Sequence, residues 1–430
     1  MCEGAEYLEK AATACHQDRW AACGQDVPLG EKVKLLFIAH RVPFPPNKGD
    51  KIRSFHELQY LRKKHNVHVA VPVDNDDDRS AVRELTSLGY AMTAQDISTT
   101  SRWVNLMKSA CSSRPLSVGA FWSSELKAKI DTLAAREQFD AAIVFSSSMA
   151  AYAIDLKIPM RIIDFCDLDS AKFAQYAEYT SAPKSWIFAI ESRRLRHYEK
   201  RLVSSFDHIL LISPEEKRLF DVNGYEDKVK VMSNGVTLAA MPKKVSAPDI
   251  MTPNIVFTGV MDYLPNVDGV CWFVDHVWKM LRRARPDLSF YIVGKNPVDA
   301  VQELHSPSDG VFVTGFVPEV APYLFSAGAF VAPIRIARGM QTKILEAMAH
   351  GVPVISSRGS ARGIGATPAQ ELLVADTPEE FVSQILTLLT DRGTAGRLRE
   401  NALNFIRQKF DWDRNLAVFD ELLAMPHTMA

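Results

Sequence analysis

Gly339-Met340-Gln341-Thr342-Lys343 leads directly into an apolar helical pattern, Ile344-Leu345-Glu346-Ala347-Met348-Ala349. A glycine here lets the backbone bend closely under a ligand, and the N–H groups of the first helical turn point at it. Together with the helix dipole they form an anion site suited to a phosphate or diphosphate. Arg335, Arg338 and Lys343 are placed to add charge-assisted hydrogen bonds. Glu346, one turn further in, is a carboxylate in an otherwise apolar helix and suits two adjacent sugar hydroxyls, as ribose-binding acids do. Its plain alternative is a solvated or ion-paired helix residue.

A second cluster is acidic: Asp164-Phe165-Cys166-Asp167-Leu168-Asp169-Ser170. Carboxylates at this spacing can supply oxygen ligands to a hard cation. They can equally cap the helix that follows Ser170.

The elements that must carry these groups alternate. Val33–Ala39 reads as a buried parallel strand, followed by the Pro- and Gly-rich loop His40–Asp50, a helix over Ile52–Lys64 and a strand over Val67–Val73. Further strands are expected at Ala141–Phe145, Arg161–Phe165, Phe206–Ser213 and Lys228–Met232, with a long helix over Trp186–Ser204. A Pro-rich stretch of weak periodicity, Met241–Asn254, reads as a linker. A second cycle follows it. Ile255–Thr258 runs into Gly259, then come a helix over Val267–Arg283 and strands at Leu288–Val293, Val311–Thr314, Ala329–Pro333 and Pro353–Ser356. Helices are expected at Thr342–Ala349, Pro378–Thr390 and Thr394–Lys409. The fold class is therefore α/β: two Rossmann-like, doubly wound domains facing each other across a cleft. The expected division is 1–30 a loose tail, 31–238 the first lobe, 239–409 the second, and 410–430 a closing segment.

Composition removes several function classes. The chain has 430 residues, enough for two cores, and 50 Lys plus Arg balance 51 Asp plus Glu, which argues against a nucleic-acid binder. Six cysteines lie scattered with no C-x-x-C pair, so neither a zinc ribbon nor a disulfide scaffold is indicated and a reducing compartment fits. No apolar run is long enough to span a bilayer and no secretory signal opens the chain, so the expected location is cytoplasmic. No G-x-S-x-G elbow is present and no G-x-G-x-x-G follows the first strand, against a serine hydrolase or a dehydrogenase. The helix over Trp186–Arg201 combines Trp, Ile and Phe with ESRRLRHYEKR; it can touch anionic lipid at the inner face of a membrane, but packing on the sheet with a basic outer face explains it as well.

The segment GMQTKILEAMAHGVPVISS resembles the donor site of the retaining glycosyltransferases of the GT-B fold, family four (group 1). That family carries two acids with seven residues between them in a helix ending LEAMA-x-G-x-P-V. Glu346 matches the second acid, whereas Arg338 stands at the first. HRVPFPPNKGDKIR and FTGVMDYLPN resemble the sub-branch associated with bacterial exopolysaccharide and PEP-CTERM systems, as does Asn234-Gly235-Val236. The resemblance runs from about Val33 to the C-terminus.

It implies roles residue by residue. Gly49 lets the first lobe approach the donor diphosphate, the alternative being an ordinary turn glycine, and Arg53 reaches the same phosphates or is merely solvated. Gly259 ends the second lobe's first strand, where relatives carry an Arg and a Lys; here Val260–Asn266 hold no base, so Arg338 and Lys343 are expected to supply that charge. Phe316 and Val317 match the loop that holds the nucleotide base, Gly339 to Thr342 cradle the diphosphate, and Asp167 and Asp169 orient or deprotonate the acceptor. Trp412 anchors a closing helix as packing.

The activity implied is a hexosyltransferase-type transfer from a nucleotide-diphosphate sugar to a hydroxyl of a glycan or lipid-linked acceptor. It proceeds with retention and without cofactor or metal. A nucleotide-sugar epimerase of the same fold and a non-catalytic sugar-nucleotide binder are the rivals.

Overall fold

A computed structural model describes residues 32–238, 250–336 and 339–424. The expected tail 1–30, most of the linker, and Arg338 lie outside the described residues.

Short runs of β-branched and aromatic residues form the strands, and most are buried on both faces, as parallel sheets between helices require. The first sheet holds β1 (Lys34–Ala39), β2 (Asn66–Val73), β3 (Ala91–Asp96), β4 (Ala141–Phe145), β5 (Met160–Cys166), β6 (His208–Leu211) and β7 (Val229–Val231). Their order is β3-β2-β1-β4-β5-β6-β7, parallel throughout. The second sheet holds β8 (Asn254–Thr258), β9 (Ser289–Val293), β10 (Val311–Gly315), β11 (Ala329–Ala332), β12 (Val354–Ser356) and β13 (Leu373–Val374), in the order β10-β9-β8-β11-β12-β13 and also parallel. In each sheet the order reverses beside the first strand, between β1 and β4 and between β8 and β11. Ligands of open α/β sheets bind in the crevice at the carboxyl ends of such strands. Gly49, Gly259 and Gly339 all sit in the chain just beyond them.

The cores are separate. Phe257, Phe273, Phe290 and Phe330 fill the second lobe, while Leu36, Ile163 and Phe206 on one face of the first sheet and Phe37, Leu58 and Leu61 on the other fill the first. Leu416, Phe419 and Leu422 belong to the first-lobe core although they follow the second lobe in the chain. The helix expected from Ile52 begins at Gly49, so that glycine is its first residue. β3 and the helix Thr99–Ala110 were not foreseen, because AMTAQD and TTSRWVNLMKSA are too polar on one side to show a buried period.

Candidate functional site

Beyond β11 the chain turns at Gly339, whose φ of +59° suits glycine. Two contacts show that nothing larger fits. A Cβ built there would lie 2.0 Å from Asp167 Oδ1 of the first lobe, and one built on Gly363 would lie 2.3 Å from the Gly339 carbonyl oxygen. Gly363 belongs to the helix Arg358–Ile364, so that helix, the Gly339 turn and the end of β5 close on one another across the cleft. The helix Thr342–Ala349 then starts with Gln341 at its cap and no side-chain cap hydrogen bond; the Ile344 N–H donates to the Gln341 carbonyl, and those of Thr342 and Lys343 are left for an anion.

Lys343 enters from this first turn. Its Nζ donates to Asn266 Oδ1 and lies 4.8 Å from the centre of the Phe257 ring. Asn266 Nδ2 in turn donates to the Val260 carbonyl at 2.8 Å. Among the described residues no carboxylate pairs with Lys343, and burial alone brings its pKa down to about 7. An ammonium desolvated without a counter-charge gains most from an incoming anion. Gly259 borders this spot: a Cβ on it would meet Asn266 Nδ2 at 2.6 Å, and one on Gly294 would meet the Gly259 carbonyl oxygen at 1.6 Å. Glu346 is largely buried, which raises its pKa, and among the described residues its carboxylate has no hydrogen-bond partner. Phe316 follows Gly315 (φ +68°) and is 65% exposed, while Val317 packs on the core.

On the first-lobe side, β4 and β5 both end in strained backbone, with φ of 81° at Ser146 and 58° at Cys166. Such strain in non-glycine residues concentrates where a site demands it. Asp167 follows Cys166; its Oδ1 is buried with no partner among the described residues, and its pKa is pushed up to about 7 by burial and by the charge of Glu216. Asp169 lies in the first turn of the helix Asp169–Glu178, where it accepts from Lys172 Nζ and, at 3.2 Å, from Ser147 Oγ. Leu168 caps this helix, so the N-capping alternative for Asp169 does not hold. Further along it, Tyr176 Oη donates to Tyr263 Oη of the second lobe at 3.1 Å, tying the two walls.

Two expected donor-binding bases are otherwise engaged. Arg53 is fully buried, with Nε 2.6 Å from Asp164 Oδ2 and 3.0 Å from Glu57 Oε1, and Nη1 2.8 Å from Asn234 Oδ1. It neutralises carboxylates inside the first lobe, with its Nη2 left buried and without a partner among the described residues. Arg335 forks onto Asp268, with Nε–Oδ2 at 2.9 Å and Nη2 on Oδ1, and lies over the Trp272 ring. That pair already holds its charge, although the side chain stays partly exposed. Gly49 opens an uncapped helix, and a Cβ on it would meet nothing within 4 Å, which leaves room for a ligand there. Asp164 is spent on Arg53, and among the described residues no group of His, Cys, Asp and Glu could hold a metal ion. Sequence reasoning missed Ser147, Lys172, Asn266 and Gly363. Only Lys172, three residues after Asp169 on one helical face, carried a local signal.

The comparisons bear on the same lobe. Residues 252–391 match the family model described as Glycosyl transferases group 1. The second lobe is thus similar to the group 1 glycosyltransferase domain. HepE of Anabaena, solved with UDP and glucose, superposes with a TM-score of 0.65 at 16% identity, over 92% of this chain and all of that one. Sucrose-phosphate synthase of Thermosynechococcus elongatus superposes at 0.64 with 15% identity, over 90% of this chain and 98% of that one. At these identities the likeness establishes the fold, which is GT-B. An uncharacterized 44.6 kDa protein of the cps region of Klebsiella pneumoniae is 21% identical over 392 residues, 88% of this chain and 96% of that protein.

Proposed function

We propose that this glycosyltransferase-fold protein moves a sugar from a nucleoside-diphosphate sugar, with UDP as the donor nucleotide, to a hydroxyl of a cell-surface glycan or its lipid-linked precursor, with retention. The observation that carries the reading is the pairing across the cleft. Asp167, whose Oδ1 is buried without a partner among the described residues, meets the Gly339 turn, and that turn starts the helix bearing Lys343, desolvated and paired with no carboxylate among those residues. HepE, crystallised with UDP and glucose, and the Staphylococcus aureus protein TarM, crystallised with UDP and α-GlcNAc-glycerol, support the donor class. The cps-region relative supports the surface-glycan setting.

In this reading the first-turn N–H groups after Gly339, with Lys343, stabilise the charge that grows on the departing diphosphate. Glu346 accepts from the ribose hydroxyls, and Phe316 and Val317 border the base. As the bond to the anomeric carbon breaks, the acceptor oxygen forms its bond on the same face. Asp167 holds the acceptor hydroxyl, and its proton passes to the leaving phosphate oxygen. Neither step calls for a metal ion.

The test is direct. UDP should raise the melting temperature of the wild type, since a ligand of the native state stabilises by mass action. Lys343→Ala should lose that shift. Asp167→Asn should keep it while transfer falls by about 10²–10⁴. Transfer that persists in both variants defeats the site assignment, and full conversion of donor without acceptor supports the epimerase instead.

A further inference from the structure

Two helices of the first lobe turn large apolar side chains to solvent. On Thr99–Ala110 these are Trp103, Val104 and Met107; on Lys184–Ser205 they are Trp186, Ile187 and Ile190. Trp103 and Trp186 are 64% and 68% exposed, more than a folded chain spends on isolated indoles. The helices meet through Arg194, which donates to the carbonyls of Ser109 at 3.1 Å and Ala110 at 3.2 Å. Glu191 fixes the segment between them by accepting from the N–H groups of Leu116 and Ser117.

The Lys184–Ser205 helix is sorted end from end. Phe188 faces inward, tilted against Phe173 and edge-on to Tyr176. Trp186, Ile190, Arg193 and Arg201 follow helical spacing along the opposite side, with Ile187 and Arg196 flanking it. The exposed stripe thus begins apolar and becomes basic. Both acids of this helix are withdrawn from it. Glu191 is buried as described, and Glu199 is buried on the N–H and hydroxyl of Ser170, with its pKa raised to about 8 by that burial. The Thr99–Ala110 helix has no acid. Lys200 is held by Asp221 and Arg102 by Asp74, but Lys108, Lys184, Arg193, Arg196 and Arg201 have no ion-pair partner among the described residues.

We propose that this face docks the protein on an anionic lipid surface, with the Trp103 and Trp186 ends in the headgroup–acyl boundary and the bases on the lipid phosphates. Charge decides between occupants. A face stripped of acidic groups complements an anionic bilayer, whereas a second copy would set base against base. Among the described residues no helix is long and apolar enough to cross a membrane, so the contact lies in the interface. The helix Asp169–Glu178 packs beneath this face and carries Asp169 and Tyr176 of the cleft wall, so docking would bring the acceptor side of the cleft to the lipid. Only that last step depends on the proposed sugar transfer.

Sedimentation of the full chain with vesicles tests the docking. The wild type should pellet with mixed phosphatidylglycerol and phosphatidylcholine vesicles and stay in solution with phosphatidylcholine alone. Trp186→Ser with Ile190→Ser, and separately Arg193→Glu with Arg196→Glu, should each weaken binding by about tenfold or more without lowering the melting temperature. The proposal fails if the wild type ignores both vesicles, if both double variants bind as it does, or if the wild type is a dimer that the Trp186 variant dissolves. A protein that binds vesicles but shows no UDP shift would instead defeat the proposed function and leave this surface standing.

Discussion

Lys343 and Asp167 both titrate near neutrality, with opposite consequences. Each is shifted by burial, which disfavours the charged form, so the lysine moves down to about 7 and the aspartate up to about 7. The lysine must be protonated to hold a diphosphate, a condition lost as pH rises through about 7. The aspartate must be ionised to hold the acceptor hydroxyl, a condition lost as pH falls through about 7. Because kcat/KM reports the free enzyme, its pH profile should be a narrow bell with both limbs close to neutrality. With donor bound, the neighbouring diphosphate favours the ammonium, so the alkaline limb of kcat should sit a unit or more higher, in line with shifts of about 1–3 units for close opposite charges. Lys343→Arg, which stays charged throughout, should abolish the alkaline limb of kcat/KM. If that limb survives the substitution, Lys343 does not set it.

At the scale of elements, the Gly339 turn is held between a helix and a strand end that come from opposite lobes. Gly363→Ala tests this from a residue outside the donor cradle itself. Its methyl would press on the Gly339 carbonyl, a backbone atom with little room to move, since Asp167 lies on the other side. The turn must shift by a few tenths of an ångström or more, and misplacement on that scale costs about 10²-fold in well-oriented chemistry when it reaches 1 Å. The expected result is a fall in kcat of one to two orders of magnitude with the fold kept. An unchanged kcat would show that the turn is not a positioning element.

The same scale explains what could be read in advance. The strands were legible because a parallel sheet writes itself as short apolar runs, and the Thr342–Ala349 helix because Gly339 precedes a periodic segment. Arg53 and Arg335 read as free bases because the partners that hold them, Asp164 and Asp268, lie 111 and 67 residues away in the chain. Glu57, four residues after Arg53 on the same helix, is the one local sign that the Arg53 charge is taken; nothing near Arg335 in the chain points to Asp268. Gly363 was invisible for a like reason, since the carbonyl it makes room for comes from a different loop.

The whole molecule is held as two lobes by chain that passes between them twice, side by side. Val236 donates its N–H to the Phe410 carbonyl at 2.8 Å, Trp412 packs directly on Gly235, and Asn415 Nδ2 donates to the Asn234 carbonyl at 2.9 Å. Beyond this point Trp412 stacks on His56 with ring centres 4.1 Å apart, Tyr60 Oη donates to Asp420 Oδ2 at 2.7 Å, and Leu416, Phe419 and Leu422 complete the first-lobe core. A chain ended after Lys409 would strip those three buried side chains from a lobe to which they are not contiguous. At about 1.5–3 kcal/mol for each, the loss is of the order of a domain's whole stability. The second lobe loses only Phe410 from its core. Calorimetry of the truncated chain should therefore show the single lobe-coupled transition split, with the first lobe melting far below the second. UDP titration should still find a site, because Lys343, Glu346 and Phe316 all belong to the second lobe, while transfer is lost with Asp167. A truncated chain that melts like the wild type would mean that the crossing segment adds nothing to the first lobe. One that no longer binds UDP would place part of the nucleotide site on the first lobe.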